Sequence, residues 1–298
     1  MRRFRRILVV PVTASPEPPA ALIEAVALAE ASGAEVRMLG QIEPLGEAEQ
    51  RAADEVGVGD LLERVVDVVE RRLRGWTARI DAPSVSIDVA VGPLPAVVAD
   101  AVEAGGHDLV IVAADRTLEG AAASLRIVRA APCPVWLLRP GFRGDCVLAA
   151  IDLDAVGDHN RLILDLGRSQ AELYDGRLRV MHAWQVAPLA LLNGADGRGL
   201  DRPVESALVA AVEADRRDAL TRLLGDTVDG RDVHLVDGSP ARSVLALADL
   251  YRADLIVVGA GEKRVGSAEL GPTAEQVVVD AECSVLVVKG QVSRRVAG

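Results

Sequence analysis

The sequence predicts an α/β protein made of two tandem, doubly wound parallel sheets of five strands each. Three observations carry that expectation. The 298-residue chain repeats itself with a period of about 145 residues. In each half, short apolar runs alternate with helical patterns. Hydrophobic residues make up 50% of the chain but aromatic ones only 2%, so the cores must be aliphatic, as in strands buried on both faces.

The repeat is visible in four pairs of segments. "RRILVVPVTAS" matches "GDCVLAAIDLD", and "VAVGPLPAVVADAV" matches "LVDGSPARSVLALA". "HDLVIVAAD" matches "ADLIVVGAG", and "APCPVWLLRP" matches "AECSVLVVKG". A period of this length is one domain copied, so each half should fold on the same plan.

In the first half, "ILVVPV" is a buried strand, followed by a helix over "PAALIEAVALAEASG" that ends at Gly33. A second strand, "EVRMLGQI", leads to "LLERVVDVVERRLRGW". There Leu61, Leu62, Val65, Val66, Val69 and Leu73 recur at helical spacing. Strand "VSIDVAV", helix "PAVVADAVEAG", strand "DLVIVAA", helix "AAASLRIVRAA" and strand "PVWLLR" complete it. The second half has strands at "CVLAAID", "RLRVMHAW", "RDVHLV", "DLIVVGA" and "SVLVVK". Strands separated by helices imply parallel pairing. The glycines and charge of "PGFRGD" (Pro140 to Asp145) mark the junction, which places one domain at 1–140 and the other at 145–290.

Together "HDLVIV…APCPVWLL" and "ADLIVVG…LGPTAEQVV…CSVLVVK" resemble universal stress protein domains, and the tandem arrangement resembles the two-domain, E-type members. The resemblance covers nearly the whole chain. It implies sheets of order 3-2-1-4-5, packing of the two halves as a pseudo-dimer through their final strands, and, in some members, an ATP site. The expectation is a non-enzymatic stress-response protein, and the odd, unpaired cysteines fit the cytoplasm.

An open parallel sheet of that order takes ligands outside the carboxyl ends of its first and fourth strands, where the winding reverses. In the second half this crevice brings Asp152 together with the loop "GAGEKRVGSAELGPTAEQ". A carboxylate at Asp152 can accept from an adenine amine or a ribose hydroxyl; it can equally cap its own loop. Gly259, Gly261 and Gly271 let backbone amides approach phosphate at a helix start. Lys263 and Arg264 would add positive charge, although a solvated turn accounts for them as well. The family's ATP pattern has glycines at spacings of two and nine residues and then Ser or Thr. Here Val258 stands where the first glycine belongs, and Pro272 stands in place of the hydroxyl, with Thr273 one residue late. Glu262 and Glu269 bring opposing charge. In the first half Val12 replaces Asp152. Asp108 to Cys133 spans 25 residues where Asp254 to Cys283 spans 29, so its loop is shorter. ATP is therefore expected in the second domain only, with the first degenerate.

Other classes are disfavoured. The formal net charge of −11 argues against nucleic acid and anionic membranes as partners. No run approaches the length of a membrane-spanning helix, and the apolar run after "MRRFRR" is too short for a secretion signal. The odd set Cys133, Cys146 and Cys283 forms no CxxC pair. No Walker loop, dinucleotide fingerprint, metal-ligand spacing or nucleophile with a base is present, so neither a metal nor catalysis is expected. His107 and His234 read as structural, and His182, at the end of a strand, as surface packing beside the crevice. Cys133 and Cys283 read as small buried hydrophobes. The competing reading is a scaffold or carrier of an apolar ligand or partner protein, suggested by "VAPLALL" within Trp184 to Ala214. A further homodimer is open to either reading.

Overall fold

In a computed structural model the described residues are 4–11, 17–114, 117–155, 158–185, 201–225, 228–261 and 270–289. Val12, Glu262, Lys263, Arg264, Glu269 and the "VAPLALL" run lie outside them.

The first half contains strands β1 (Arg6–Val10), β2 (Glu35–Ile42), β3 (Ser86–Val91), β4 (Leu109–Ala113) and β5 (Val135–Leu138). Its helices are α1 (Ala20–Ser32), α2 (Glu47–Glu55), α3 (Leu61–Arg79), α4 (Leu94–Gly105) and α5 (Leu118–Ala130). The second half contains β6 (Cys146–Ala150), β7 (Arg177–Trp184), β8 (Val233–Asp237), β9 (Leu255–Gly259) and β10 (Ser284–Val288). Helices α6 (His159–Leu173), α7 (Arg202–Leu224), α8 (Pro240–Leu250) and α9 (Pro272–Asp280) flank it. Helix α2, absent from the sequence reading, buries only Ala53, so it has no apolar periodicity to reveal it.

Each half has the order 3-2-1-4-5 with parallel pairing, and the two sheets join into one of ten strands, β3-β2-β1-β4-β5-β10-β9-β6-β7-β8. The join is the antiparallel pair β5–β10, with Leu286 opposite Trp136. The central strands carry aliphatic side chains on both faces, buried by α4, α5, α8 and α9 on one side and by α1, α3, α6 and α7 on the other. In both halves an aspartate preceding the fourth strand clips the start of the first. Asp108 accepts from the Arg5 and Arg6 amides, and Asp254 from the Cys146 amide.

The junction between halves is reciprocal. Arg139, just beyond β5, donates to the carbonyl of Val278 in the last turn of α9 (3.0 Å), and its amide donates to the Ser284 hydroxyl. Lys289, just beyond β10, donates to the carbonyls of Arg129 and Ala131 at the end of α5. Each half thus supplies a cation to the C-terminal carbonyls of the other's helix, where the helix dipole is negative. The connecting segment is covered by aromatic rings. Phe142 meets Trp136 edge-on at 5.1 Å and Tyr174 at 5.2 Å.

The expected roles of His107 and His234 agree with their contacts: His107 Nδ1 bonds the Ala101 carbonyl, and His234 lies against the Tyr251 ring. Cys133 is buried as expected and Cys283 nearly so; burial pushes their thiols up to about 12 and about 11, which makes them unreactive. His182 differs from the expectation of surface packing. It is buried, 3% exposed, because its side chain points from β7 into the layer beneath α6 and α7.

Candidate functional site

Strands β6 and β9 are neighbours in the sheet, with Ala150 opposite Val258, so the chain leaving each one emerges at the same crevice. This brings Asp152 to the Gly259–Gly261 turn, although they are more than 100 residues apart in sequence.

Asp152 is held from behind. The side chain of Asn160, in the first turn of α6, accepts from the Asp152 amide (3.0 Å) and donates to the Asp152 carbonyl (2.6 Å). The carboxylate is exposed, and its Oδ1 accepts from the Asp154 amide at 3.0 Å, leaving Oδ2 toward solvent. Asp152 thus caps its own loop, as one of the two sequence readings expects. The loop is also tied to α7, where Arg216 makes a two-pronged ion pair with Asp154 at 2.5 and 3.1 Å.

The glycines have structural reasons of their own. A Cβ on Gly259 would lie 2.3 Å from Nε2 of His159, so the imidazole fills the space that any side chain there would need. Gly261 has φ +87°, a left-handed conformation that favours glycine, and its absent Cβ would meet the backbone of Gly271 at 3.2 Å. The Gly271 amide donates to the Ala260 carbonyl at 2.7 Å, so the two ends of the loop are clipped together at the crevice.

That clip decides which amides face an incoming anion. Gly271 has used its N–H, and Pro272, the first residue of α9, has none. The amides left to project from the helix start are those of Thr273 and Ala274, with the half-buried Thr273 hydroxyl beside them. The three glycines, Asp152 and Thr273 come together at one crevice.

Sequence reasoning missed Asn160, His159 and Arg216. The only available signal for the first two was their place at the start of the helix after β6, which is also where a crevice of this kind is lined. Asp152, Asp154, Asp158 and His159 do not form a metal centre, and among the described residues no group of His, Cys, Asp or Glu is placed to hold an ion.

His182 is a buried polar group on β7, the strand on the other side of β6 from β9. Its Nδ1 lies 3.1 Å from the carbonyl of Ile151, the residue before Asp152, while Nε2 is buried with no partner. Burial pushes the imidazole below its ordinary pKa. The Ile151 carbonyl opposes that, Arg216 reinforces it, and Asp152 and Asp154 oppose it.

The first half is built differently at the same place. Ala113 occupies the strand position of Gly259, and Ala20 and Ala21 open α1 where His159 and Asn160 open α6. One turn along, where α6 has Ile163, α1 has Glu24. Its Oε1 is buried without a partner, and burial pushes its carboxyl up to about 7.

Comparison with known proteins agrees with this duplicated architecture. The model of the universal stress protein family matches twice, over residues 4–139 and 147–289. The chain belongs to the universal stress protein family. A universal stress protein of Thermus aquaticus is 35% identical over 133 residues, 44% of this chain and 91% of that one. Universal stress protein E of Escherichia coli is 27% identical over 210 residues, 66% of this chain and 65% of its own length, just under two thirds. A Pseudomonas aeruginosa protein of unknown function has the same fold, with TM-score 0.68, 21% identity and coverage of 97% of this chain and 93% of that one. A universal stress protein from Archaeoglobus fulgidus aligns with TM-score 0.53 and 16% identity, over 95% and 98% of the two chains. Like the tandem relatives, this universal stress protein carries two copies of the domain, and no helix among its described residues is long and apolar enough to cross a membrane.

Proposed function

We propose that this chain is a non-enzymatic, cytoplasmic stress-response protein that holds an adenine nucleotide, ATP, in its second domain only. The reading assigns residues 145–290 to the nucleotide-binding domain and 1–140 to a degenerate copy. The observation that carries it is the meeting of Asp152, braced by Asn160, with the Gly261–Gly271 clip and the start of α9 across the switch point. In this reading the free Asp152 oxygen accepts from ribose hydroxyls. The Thr273 and Ala274 amides and the Thr273 hydroxyl receive phosphate oxygens, and Gly259, Gly261 and Gly271 keep the backbone close. Lys263 and Arg264 supply charge from the loop. In the first half the buried Glu24 takes the place of an aliphatic side chain, which supports reading that copy as degenerate.

The test is isothermal titration of the full chain with ATP. One saturable site, lost in Asp152→Ala and retained in Val12→Ala, is expected. Equal loss in both variants, or two sites in the wild type, would defeat the assignment to the second domain. Release of ADP above a buffer control would defeat the non-enzymatic part.

A second reading, carriage of an apolar molecule, is favoured by one feature. A groove of about 520 Å³ beside β8 and α8 is lined by Val236, Ala246, Leu247 and Leu250 together with Gln185, Ser239, Arg242 and Ser243. Native mass spectrometry of protein purified without added nucleotide separates the two readings by the mass of what it retains.

A further inference from the structure

The two halves correspond residue by residue at the end of the sheet opposite the crevice. Leu8 pairs with Arg37 as Leu148 pairs with Arg179, so the two arginines hold one position in β2 and β7. Arg37 lies opposite Ser86, and in the second half the matching neighbour, just before Val233, is Asp232. The His107 and Ala253 amides return to the Val102 and Ala248 carbonyls, which matches His107 to Ala253 and Gly105 to Tyr251.

In the second half this place is full. The buried Asp232 carboxylate pairs with Arg177 at 2.7 Å and with Arg179 at 2.9 Å. The Tyr251 ring lies over the Arg179 guanidinium, with Cζ 3.7 Å from the ring centroid. A carboxylate and a flat ring thus share one arginine. The first half keeps the arginine and lacks both, since Ser86 replaces Asp232 and Gly105 replaces Tyr251. What stands there is a cavity of about 300 Å³, lined in part by Arg6, Glu35, Arg37, Ser86, Gly105 and His107. The protein cannot fill it from position 105, because a Cβ on Gly105 would fall on the His107 ring.

The charge in the cavity favours an anion. Burial pushes the His107 imidazole below its ordinary pKa; the Ala101 carbonyl opposes this, Arg37 and Arg6 reinforce it, and Asp108 opposes it. Two carboxylates compete at the rim: Asp88 with Arg37 Nη1 at 2.8 Å and Glu35 with Arg6 Nε at 3.3 Å. Their side chains are 51% and 79% exposed, so neither pair is costly to displace. A guanidinium carries five donors, which allows Arg37 to receive a second carboxylate beside Asp88.

We propose that this cavity binds a small aromatic carboxylate. Its carboxylate takes the place of Asp232, against Arg37 and the Ser86 hydroxyl, and its ring takes the place of Tyr251 over the guanidinium. The site lies in the first half, away from the crevice, and does not depend on the nucleotide reading.

The test titrates the full-length protein calorimetrically with benzoate, and with acetate and benzamide as the ring-free and charge-free counterparts. One saturable benzoate site is expected, about tenfold tighter than for either counterpart. Arg37→Gln, at a half-exposed position, should weaken benzoate about tenfold or more. Ser86→Asp installs the carboxylate that the second half already has, so it should exclude benzoate without lowering the thermal midpoint. The Cε1 proton signal of His107 should move on saturation with benzoate, and excess ATP should leave benzoate affinity unchanged. Absence of saturable benzoate binding overturns the proposal, as does acetate or benzamide binding equally well. So does binding that survives Arg37→Gln, a His107 signal that benzoate leaves in place, or competition by ATP, which would put benzoate in the crevice instead. None of these outcomes bears on whether ATP binds in the second half.

Discussion

The imidazole of His159 rests directly on the backbone of Gly259, so closely that a Cβ there would sit 2.3 Å from Nε2 and 2.8 Å from Cδ2. This contact joins the start of α6 to the end of β9 and closes the floor of the crevice. It also gives the glycine a reason independent of phosphate. Gly259→Ala should therefore lower stability by about 1 to 3 kcal/mol, the usual range for forcing a group into packed space. Ile163, 3.3 Å from the same Cβ position, limits the room for the ring to retreat. Adding His159→Ala should restore much of the loss, a coupling that urea denaturation of the four proteins of the cycle will show. Additive effects would mean that the clash is relieved elsewhere.

Glu24 predicts a pH dependence in the first half. Burial pushes its carboxyl from 4.5 up to about 7, so the folded state binds this proton more tightly than the unfolded state. Its contribution to stability is thus fully present below pH 4.5 and is lost as pH rises to about 7, leaving a buried charge above that. Glu24→Gln removes the ionisation while keeping the shape. The variant should match the wild type near pH 4.5 and exceed it by about 2 to 3 kcal/mol at pH 8. Denaturant midpoints at the two values decide the matter, and equal gains at both would rule out ionisation as the cause.

The two halves should come apart more easily when either reciprocal cap is removed. Lys289→Met removes donors to the Arg129 and Ala131 carbonyls, and Arg139→Met removes the donor to Val278. Each should cost about 1 to 3 kcal/mol, with Arg139 the larger because it is the more buried. Lys289 adds a pH signature: burial pushes it from 10.5 down to about 8, so the unfolded chain holds the proton more tightly. Stability from this group rises as pH goes from about 8 to 10.5, and Lys289→Met should lack that rise in thermal melts.

The architecture was legible because it is written in periodicity. Five aliphatic runs per half, repeated at one period, fix strand number, parallel pairing and, through the family resemblance, the order; β5 and β10 then meet as the edges left over. The position of the crevice followed from that order. Its finer construction did not, because it depends on contacts that no periodicity encodes. Asn160 reaches Asp152 only because the chain doubles back within eight residues, and His159 meets Gly259 across 100 residues. Gly259, Gly261 and Gly271 were read as openings for phosphate; the surroundings of Gly259 and the positive φ of Gly261 favour glycine at those two positions even without one. His182 was placed at the surface because a histidine at a strand end usually is. Nothing in "RLRVMHAW" tells which edge of the strand lies beneath α6 and α7.

Asn160 offers the sharpest separation of framework from ligand contact. Its side chain makes two hydrogen bonds to the backbone of Asp152 and is itself buried, so it touches the crevice only through the residue it holds. Asn160→Ala should lose about 1 to 3 kcal/mol of stability, since the Asp152 amide and carbonyl lose their partners. Asp152→Ala leaves those backbone bonds in place and should alter stability little. The two variants should therefore invert in rank between assays. Asn160→Ala is expected to be the less stable in urea, and Asp152→Ala the weaker in ATP titration, with Asn160→Ala reduced about tenfold by the freedom it gives the loop. If Asn160→Ala bound ATP like the wild type, the braced position of Asp152 would have no part in binding, and the carboxylate would serve only to cap its own turn.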